Sequence, residues 1–126
     1  MDNEANKAMR VLIADDRPQV RSALRLLLEQ GSGVTVVGEA VDMEQALELT
    51  AGQRPDLVLL DWELPGQDGD AVLARLRAVR PGLVVIALSG RPEARRAALA
   101  AGADAFVSKG DPPERLLAAV DECRRK

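Results

Sequence analysis

Leu57-Val58-Leu59-Leu60-Asp61 is an apolar run that ends in a carboxylate, and Val11-Leu12-Ile13-Ala14-Asp15-Asp16 repeats the arrangement nearer the N-terminus. Short runs of branched apolar residues are typical of parallel strands that are buried on both faces. Two later runs also precede a polar side chain, and these are residues 83–88 before Ser89 and residues 105–107 shortly before Lys109. In an open α/β sheet, ligands bind in the crevice beyond the carboxyl ends of the strands. The sequence therefore predicts that side chains following four strands meet at one edge of a sheet.

Helical patterns separate the predicted strands. Pro18 suits the first turn of a helix, and apolar residues recur at helical spacing after it until Gly31. Asp42 with Gln45 three residues later is a capping pattern for a second helix, and Asp68 is expected to cap a third. The fourth helix is expected to follow Arg91-Pro92 and end at Gly102, and the fifth to follow Pro112-Pro113. The inward face of the third helix is predicted to be Val72, Leu73, Leu76 and Val79, and that of the fifth Leu116, Leu117, Val120 and Cys123.

Strict alternation of strand and helix predicts an α/β fold with a doubly wound parallel sheet. The five strands are expected at residues 9–14, 34–40, 57–60, 83–88 and 105–108. The common order for five such strands is 2-1-3-4-5, which makes this a flavodoxin-like (βα)5 fold. With 126 residues, the chain is expected to form one domain over residues 9–126, preceded by a polar leader at residues 1–8.

Composition narrows the classes of function. The net charge is −3 with no long basic stripe, so we expect no direct nucleic-acid binding by this segment. The absence of histidine excludes a histidine phosphoacceptor and a histidine-based nucleophile relay within the chain. No apolar stretch approaches the ~20 residues that span a bilayer, and Cys123 has no second cysteine to pair with. We therefore expect no membrane contact and a cytoplasmic location.

The predicted strand ends carry the side chains of a phosphate and metal site. Asp15, Asp16 and Asp61 would converge where the strand order reverses, and hard oxygen ligands of this number suit Mg²⁺. Ser89 can donate its hydroxyl to a phosphoryl oxygen, and Lys109 can bring a positive charge. Each residue alone has an ordinary interpretation as a turn, a helix cap or a solvated side chain. Together they form the set of groups needed for phosphoryl transfer.

These residues resemble those of a known family. Residues 9–125 are similar to bacterial two-component response-regulator receiver domains. The resemblance rests on Asp15-Asp16, Asp61-Trp62-Glu63-Leu64-Pro65-Gly66-Gln67-Asp68-Gly69, Ser89-Gly90 and Gly102-Ala103-Asp104-Ala105-Phe106-Val107-Ser108-Lys109. The stretch at residues 108–120 is similar to receivers that precede a helix-turn-helix DNA-binding domain. A stand-alone receiver, a truncated chain and a fragment of a transcription regulator all remain open.

The resemblance implies roles for individual residues. Asp61 is the phosphoacceptor, served by a sensor histidine kinase, and Asp15 and Asp16 hold Mg²⁺ together with Asp61 and the backbone carbonyl of Glu63. Ser89 hydrogen-bonds the phosphoryl group and Lys109 pairs with it. Gly90 leaves access to Asp61 open, and Phe106 matches an aromatic residue whose rotamer responds to Ser89. Such a domain is a signalling switch and not an enzyme in the usual sense, although it assists its own phosphorylation and dephosphorylation.

Two features of this chain add to, or depart from, the family pattern. Glu63 and Arg91 lie two residues after Asp61 and Ser89, and two interpretations stay open: an ion pair over the entrance to the site, or two separately solvated charges. Gly110 follows Lys109 where the family usually has proline, which leaves open whether that peptide bond is cis.

Transmission to a partner forms a further expectation. The fourth helix is apolar mainly through alanine, which buries little area, so the face formed by helix four, strand five and helix five is expected to rearrange on phosphorylation. Partners would then be the kinase and a downstream output domain or protein, with a phosphorylation-dependent homodimer left open.

Two other functions compete with a signalling switch. One is a metal-dependent phosphatase with an aspartyl nucleophile, for which Glu63 would be the second acid. The other is a pseudo-receiver that binds partners without being phosphorylated.

Overall fold

Strands and helices alternate as the sequence predicts in a computed structural model that describes residues 8–31 and 33–125. The strands are β1 Met9–Ala14, β2 Val34–Ala40, β3 Leu57–Asp61, β4 Val84–Ser89 and β5 Ala105–Ser108. The helices are α1 Pro18–Gln30, α2 Met43–Gln53, α3 Gly69–Val79, α4 Arg95–Ala100 and α5 Pro113–Arg124, with a 3₁₀ turn at Pro92–Ala94 before α4. Most of the predicted leader lies outside the described residues, as do Ser32 and Lys126.

The five strands form one parallel sheet in the order β2-β1-β3-β4-β5, which confirms the predicted fold class. β1 pairs with β2 on one side and with β3 on the other, so the chain reverses its winding direction between β1 and β3. Because all strands are parallel, the carboxyl ends of β1, β3, β4 and β5 lie at the same edge of the sheet. Ligand sites of doubly wound folds form at this edge, beside the reversal point.

Helices cover both faces of the sheet, which explains why the strands read as continuous apolar runs. One core layer lies under α2, α3 and α4 and contains Leu12, Val58, Leu60, Leu73 and Ala98. The other lies under α1 and α5 and contains Val11, Ile13, Leu59, Leu28 and Leu116. Alternate strand residues supply the two layers, as the twofold period of a strand requires. None of the helices in the described part of the chain has the length and apolarity needed to traverse a bilayer.

Helix ends show where local sequence signals succeed and fail. Pro18 occupies the first turn of α1, and the Asp42 carboxylate caps α2 by accepting a hydrogen bond from the Gln45 amide. Asp68 precedes α3 as predicted, but its carboxylate makes no capping hydrogen bond. Val79 was predicted to face inward and is 43% exposed, because α3 ends there and the chain turns back toward β4. The predicted fourth helix is divided into the 3₁₀ turn and α4, of which only Ala98 is fully buried within the helix.

Candidate functional site

The predicted site residues lie together at the carboxyl edge of the sheet. Asp15 directly follows β1, Asp61 and Ser89 are the last residues of β3 and β4, and Lys109 directly follows β5. Strand pairing places Asp61 opposite Leu88 and Ser89 opposite Ser108, so neighbouring strands end at nearly the same level. The fold therefore brings together side chains that are separated by up to 94 positions in sequence.

Three carboxylates crowd the reversal point. One oxygen each from Asp15, Asp16 and Asp61 lies within 4.8 Å of the other two. Asp15 is fully buried and Asp61 is 3% exposed, whereas Asp16 is open to solvent. Hard oxygen donors that share a partly open site fit Mg²⁺, which binds one or two carboxylates and keeps several waters. The chemistry of this donor set therefore matches the predicted metal.

Lys109 supplies the positive charge within this cluster. Its Nζ lies 2.7 Å from Asp15 Oδ2 and 3.4 Å from Asp61 Oδ1. Burial acts to lower the pKa of Lys109, but the hydrogen bond to Asp15 and the charges of Asp61 and Asp15 outweigh it and raise the pKa. Lys109 therefore stays protonated and bridges two buried carboxylates that would otherwise repel each other.

The two oxygens of Asp61 have different surroundings. Oδ1 accepts a hydrogen bond from the Glu63 amide at 3.0 Å and faces Lys109. Within the described residues, Oδ2 accepts no hydrogen bond. Burial raises the pKa of Asp61, opposed by the Glu63 amide and by Lys109. Asp61 thus has one oxygen held in place and one oxygen without a protein donor.

Every polar atom of Asp15 is held. Its amide donates to Ala40 O at 2.9 Å, and its Oδ1 accepts from the Arg17 amide at 2.9 Å. Its carbonyl accepts from Arg21 NH1 at 2.8 Å. Arg21 was not among the predicted site residues. Its position five residues after Asp16 indicates a contact with the acidic turn only when α1 is known to start at Pro18 and to pack beside β1.

The hydroxyl of Ser89 makes hydrogen bonds within the chain. Ser89 Oγ donates to the Glu63 carboxylate, with Oε2 at 2.8 Å and Oε1 at 3.1 Å, and accepts from the Arg91 amide at 3.0 Å. Arg91 NH2 also lies 3.2 Å from Glu63 Oε2, so the two residues form an ion pair and are not separately solvated charges. The exposed fractions of the two side chains are 59% for Arg91 and 39% for Glu63. The group predicted to meet a phosphoryl oxygen therefore has an internal partner in this structure.

The remaining predicted residues line or flank this edge. Gly90 is exposed, and a Cβ placed on it would meet no atom within 4 Å, so packing of the chain itself does not require glycine there. Phe106 is buried in the core layer under α3 and α4, opposite Ala87 of β4. The described residues contain no cis peptide bond, so the bond between Lys109 and Gly110 is trans.

Trp62 follows Asp61 directly and is 8% exposed. Its indole ring packs directly against Gly69 at the start of α3, where a Cβ would collide with the ring. Trp62 is the only tryptophan in the chain. Its fluorescence can therefore report on events at Asp61 without labelling.

Comparison with known proteins identifies the family of the chain. The model of the response regulator receiver domain matches residues 11–121. The chain belongs to this family. Its residues are 38% identical over 114 positions to the nitrate/nitrite response regulator protein NarL of Escherichia coli K12, and the match covers 89% of this chain and 53% of that protein.

Solved receiver structures have the same fold. The signal receiver domain of NarL from Mycobacterium tuberculosis superposes with a TM-score of 0.85 at 35% identity, covering 94% of this chain and 98% of that one. The response regulator RcsB of Salmonella typhimurium gives a TM-score of 0.88 at 28% identity, covering 94% of this chain and 62% of that one. The chain spans about half the length of curated relatives that it matches.

Proposed function

We propose that this receiver domain is a phosphorylation-operated switch in which Asp61 accepts a phosphoryl group from a sensor histidine kinase. The proposal rests on the burial of Asp61 and on the groups that contact its carboxylate. It is 3% exposed, its Oδ1 is held by the Glu63 amide, and Lys109 Nζ lies 3.4 Å away. A carboxylate fixed in this way, with its second oxygen free of protein donors within the described chain, has the arrangement of a nucleophile.

Phosphoryl transfer places specific demands on these side chains. The Asp61 oxygen forms a bond to phosphorus as the phosphorus–nitrogen bond of a phosphohistidine donor breaks. The electron pair stays on the imidazole nitrogen, which then takes up a proton from water. Lys109, held protonated by Asp15, lies where it can stabilise the charge on the phosphoryl oxygens.

Asp15, Asp16, Asp61 and the backbone carbonyl of Glu63 would hold Mg²⁺. The three carboxylates supply oxygens within 4.8 Å of one another. When bound, the cation supplies neutralising charge for the carboxylates and for the phosphoryl oxygens. Asp15 cannot turn away from this role without breaking its bonds to the Arg17 amide and Lys109.

Ser89 would exchange partners in the phosphorylated state. Its hydroxyl leaves Glu63 and donates to a phosphoryl oxygen, and Phe106 in the adjacent core follows this movement. Gly90, whose missing side chain leaves open space, keeps the approach to Asp61 clear. The Glu63–Arg91 ion pair hinders an attacking water and so sets the lifetime of the phosphoryl group.

The helix-four, strand-five, helix-five face (α4, β5 and α5) would transmit the change. α4 has six residues and one fully buried side chain, so few apolar contacts resist its movement. Because two relatives are about twice as long and others are named as transcriptional regulators, we propose that the partner is an output domain or protein that controls transcription. Hydrogen exchange with and without beryllofluoride tests whether the α4, β5 and α5 face rearranges. Equal protection of this face in both states would contradict the rearrangement.

Acetyl phosphate with Mg²⁺ tests the phosphoacceptor. Intact-mass measurement is expected to show a gain of one phosphoryl group, and the Asp61→Asn variant is expected to show none. Asp104→Asn is a matched control, because Asp104 is a carboxylate at the opposite end of β5, and this variant should still be modified. Absence of any gain in the wild-type protein would favour a pseudo-receiver, and steady release of phosphate from simple esters would favour a phosphatase.

Asp16→Asn tests the metal site with a result of defined sign. Asp16 is the exposed carboxylate of the cluster and makes no side-chain hydrogen bond within the described residues, so its replacement should leave the metal-free fold intact. It should also abolish the rise in melting temperature that Mg²⁺ gives the wild-type protein. Glu48→Gln removes a charge from an exposed position on α2 and should leave the effect of Mg²⁺ intact.

A further inference from the structure

We propose that Arg21 is a positioning residue for the Mg²⁺ site, because it holds the peptide group that carries Asp16. The inference rests on the proposed function, since it concerns the same site. It assigns a role to a residue that binds neither the cation nor the phosphoryl group. The role is to fix the direction in which the acidic turn after β1 presents its second carboxylate.

The argument begins with the difference between the two neighbouring acids. Asp15 has its amide, its carbonyl and both carboxylate oxygens in hydrogen bonds. Asp16 is exposed, and within the described residues its side chain makes no hydrogen bond or ion pair. The place of the Asp16 carboxylate therefore depends on the backbone that carries it, chiefly on the peptide group joining Asp15 to Asp16.

Arg21 is the side chain that holds that peptide group. Its NH1 donates to the Asp15 carbonyl at 2.8 Å, and that carbonyl belongs to the peptide plane shared with Asp16. The bond from the Arg17 amide to Asp15 Oδ1 spans this turn and limits its rotation, but within the described residues only Arg21 donates a side-chain hydrogen bond to the carbonyl of this plane. Without Arg21, the Asp15 carbonyl loses its donor, and the Asp16 carboxylate can turn away from Asp61.

Arg21 is held in position by an ion pair of its own. Its Nε lies 2.9 Å from Glu39 Oε1 on β2, and its side chain is only 15% exposed. The second oxygen of Glu39 lies 2.7 Å from Arg25 Nε, one turn further along α1. A guanidinium with two directed bonds and little freedom transmits a fixed geometry better than a flexible ammonium. Glu39 therefore fixes the position of the Arg21 guanidinium, and Arg21 in turn fixes the orientation of the acidic turn after β1.

A pure charge effect predicts the opposite outcome for the same substitution. Arg21 is a cation bonded to the carbonyl of Asp15, so its charge opposes the binding of another cation at the adjoining carboxylates. If its charge were all that mattered, Arg21→Ala would bind Mg²⁺ more tightly than the wild-type protein. Positioning predicts weaker binding, so the sign of the change separates the two explanations.

The experiment is a Mg²⁺ titration of the full chain followed by Trp62 fluorescence. Arg21→Ala is expected to weaken Mg²⁺ binding about tenfold, the lower end of the range for groups that orient metal ligands. Arg25→Ala is the matched control, because it also removes a positive charge and a bond to Glu39 but does not touch Asp15. It should bind Mg²⁺ as the wild-type protein does or slightly more tightly. Arg21→Lys keeps the charge but replaces the two directed bonds with a flexible ammonium, so it should recover only part of the lost affinity.

A second measurement needs no metal. In metal-free protein, the amide of Arg17, which donates to Asp15 Oδ1 across the acidic turn, should exchange its hydrogen faster in Arg21→Ala than in Arg25→Ala when both are compared at equal global stability. Equal or tighter Mg²⁺ binding by Arg21→Ala, or equal exchange at Arg17, would overturn the positioning role and leave the proposed function standing. A wild-type protein that binds no Mg²⁺ would overturn the metal site and this inference with it.

Discussion

Ser89 Oγ lies 2.8 Å from Glu63 Oε2 and donates a hydrogen bond to it. Glu63, two residues after Asp61, therefore already accepts the hydroxyl proton of Ser89, the last residue of β4. Glu63 presents two carboxylate oxygens to Ser89, much as a phosphoryl group on Asp61 would present its own. Both groups are anionic acceptors, and a single hydroxyl proton cannot serve both. The proposed bond from Ser89 to the phosphoryl group therefore requires that phosphorylation displace Glu63 from Ser89.

Glu63→Ala is expected to bind beryllofluoride about fivefold more tightly than the wild-type protein. The wild-type protein must break the Ser89–Glu63 hydrogen bond to release the hydroxyl, and a net cost of about 1 kcal/mol corresponds to that factor. Trp62 fluorescence in saturating Mg²⁺ would measure the affinity.

Arg91→Ala is the control for this prediction. It removes the ion pair with Glu63 but leaves Glu63 as the acceptor for Ser89, and it keeps the Arg91 amide that donates to Ser89 Oγ. Its beryllofluoride affinity should change much less. Equal gains in the two variants would assign the effect to the ion pair instead of the hydrogen bond.

Loss of both side chains should shorten the life of the phosphorylated state. The double variant Glu63→Ala with Arg91→Ala removes the 3.2 Å ion pair that is proposed to hinder an attacking water. An exposed pair contributes up to about 1 kcal/mol, which limits the acceleration of hydrolysis to about fivefold. Timing the loss of the phosphoryl mass after removal of donor measures it, and an unchanged lifetime contradicts the role of the pair.

The sequence was sufficient to predict that these side chains meet at one edge of the sheet. Asp15, Asp61, Ser89 and Lys109 each follow an apolar run, and parallel strands bring their carboxyl ends to one edge whatever side chains the helices carry. The strand order followed from the common arrangement for five strands and from the family resemblance. Residue types at strand ends are thus a strong signal for a doubly wound sheet.

The partners of individual side chains were harder to predict. The ion pair between Glu63 and Arg91 was one of two interpretations that the sequence left open. The bond from Ser89 to Glu63 was not expected, because a hydroxyl and a carboxylate from different loops meet only in particular rotamers. Arg21 was missed for a related reason. Its two bonds, to Asp15 and to Glu39, join elements whose relative position depends on how α1 packs between β1 and β2.

Glu39→Gln should lower stability at neutral pH and have little effect in acid. The hydrogen bond from Arg25 lowers the pKa of Glu39 below its ordinary value of 4.5, and the Arg21 hydrogen bond acts in the same direction against the effect of burial. Because the folded state favours charged Glu39, its contribution is complete above pH 4.5 and disappears as the pH falls through the lower folded-state pKa. Two partly exposed ion pairs suggest a loss of about 1 kcal/mol at pH 7.

Urea unfolding of Glu39→Gln and wild-type protein between pH 3 and pH 7 would measure this difference. Glu29→Gln is the control, since Glu29 forms only the exposed pair with Arg25 at 3.2 Å. Its loss should be about 0.3–0.5 kcal/mol. A Glu39→Gln deficit that stays constant down to pH 3 would contradict the proposed contribution of the charged carboxylate.

Arg77 ties the end of α4 to α3, and its removal should loosen that end selectively. Arg77 NH1 donates to Gly102 O at 2.6 Å, and NH2 donates to Asp104 Oδ2 at 2.6 Å. Arg77→Ala should speed hydrogen exchange over residues 98–104 and cost about 2 kcal/mol of stability, as expected for charged hydrogen bonds. Arg75 lies on the same helix as Arg77 and has a 3.8 Å contact with Met43 Sδ of α2. Arg75→Ala should change neither the hydrogen exchange of residues 98–104 nor the stability appreciably. Uniform acceleration across α1 and α3 as well would mean that Arg77 supports the whole fold and not this loop.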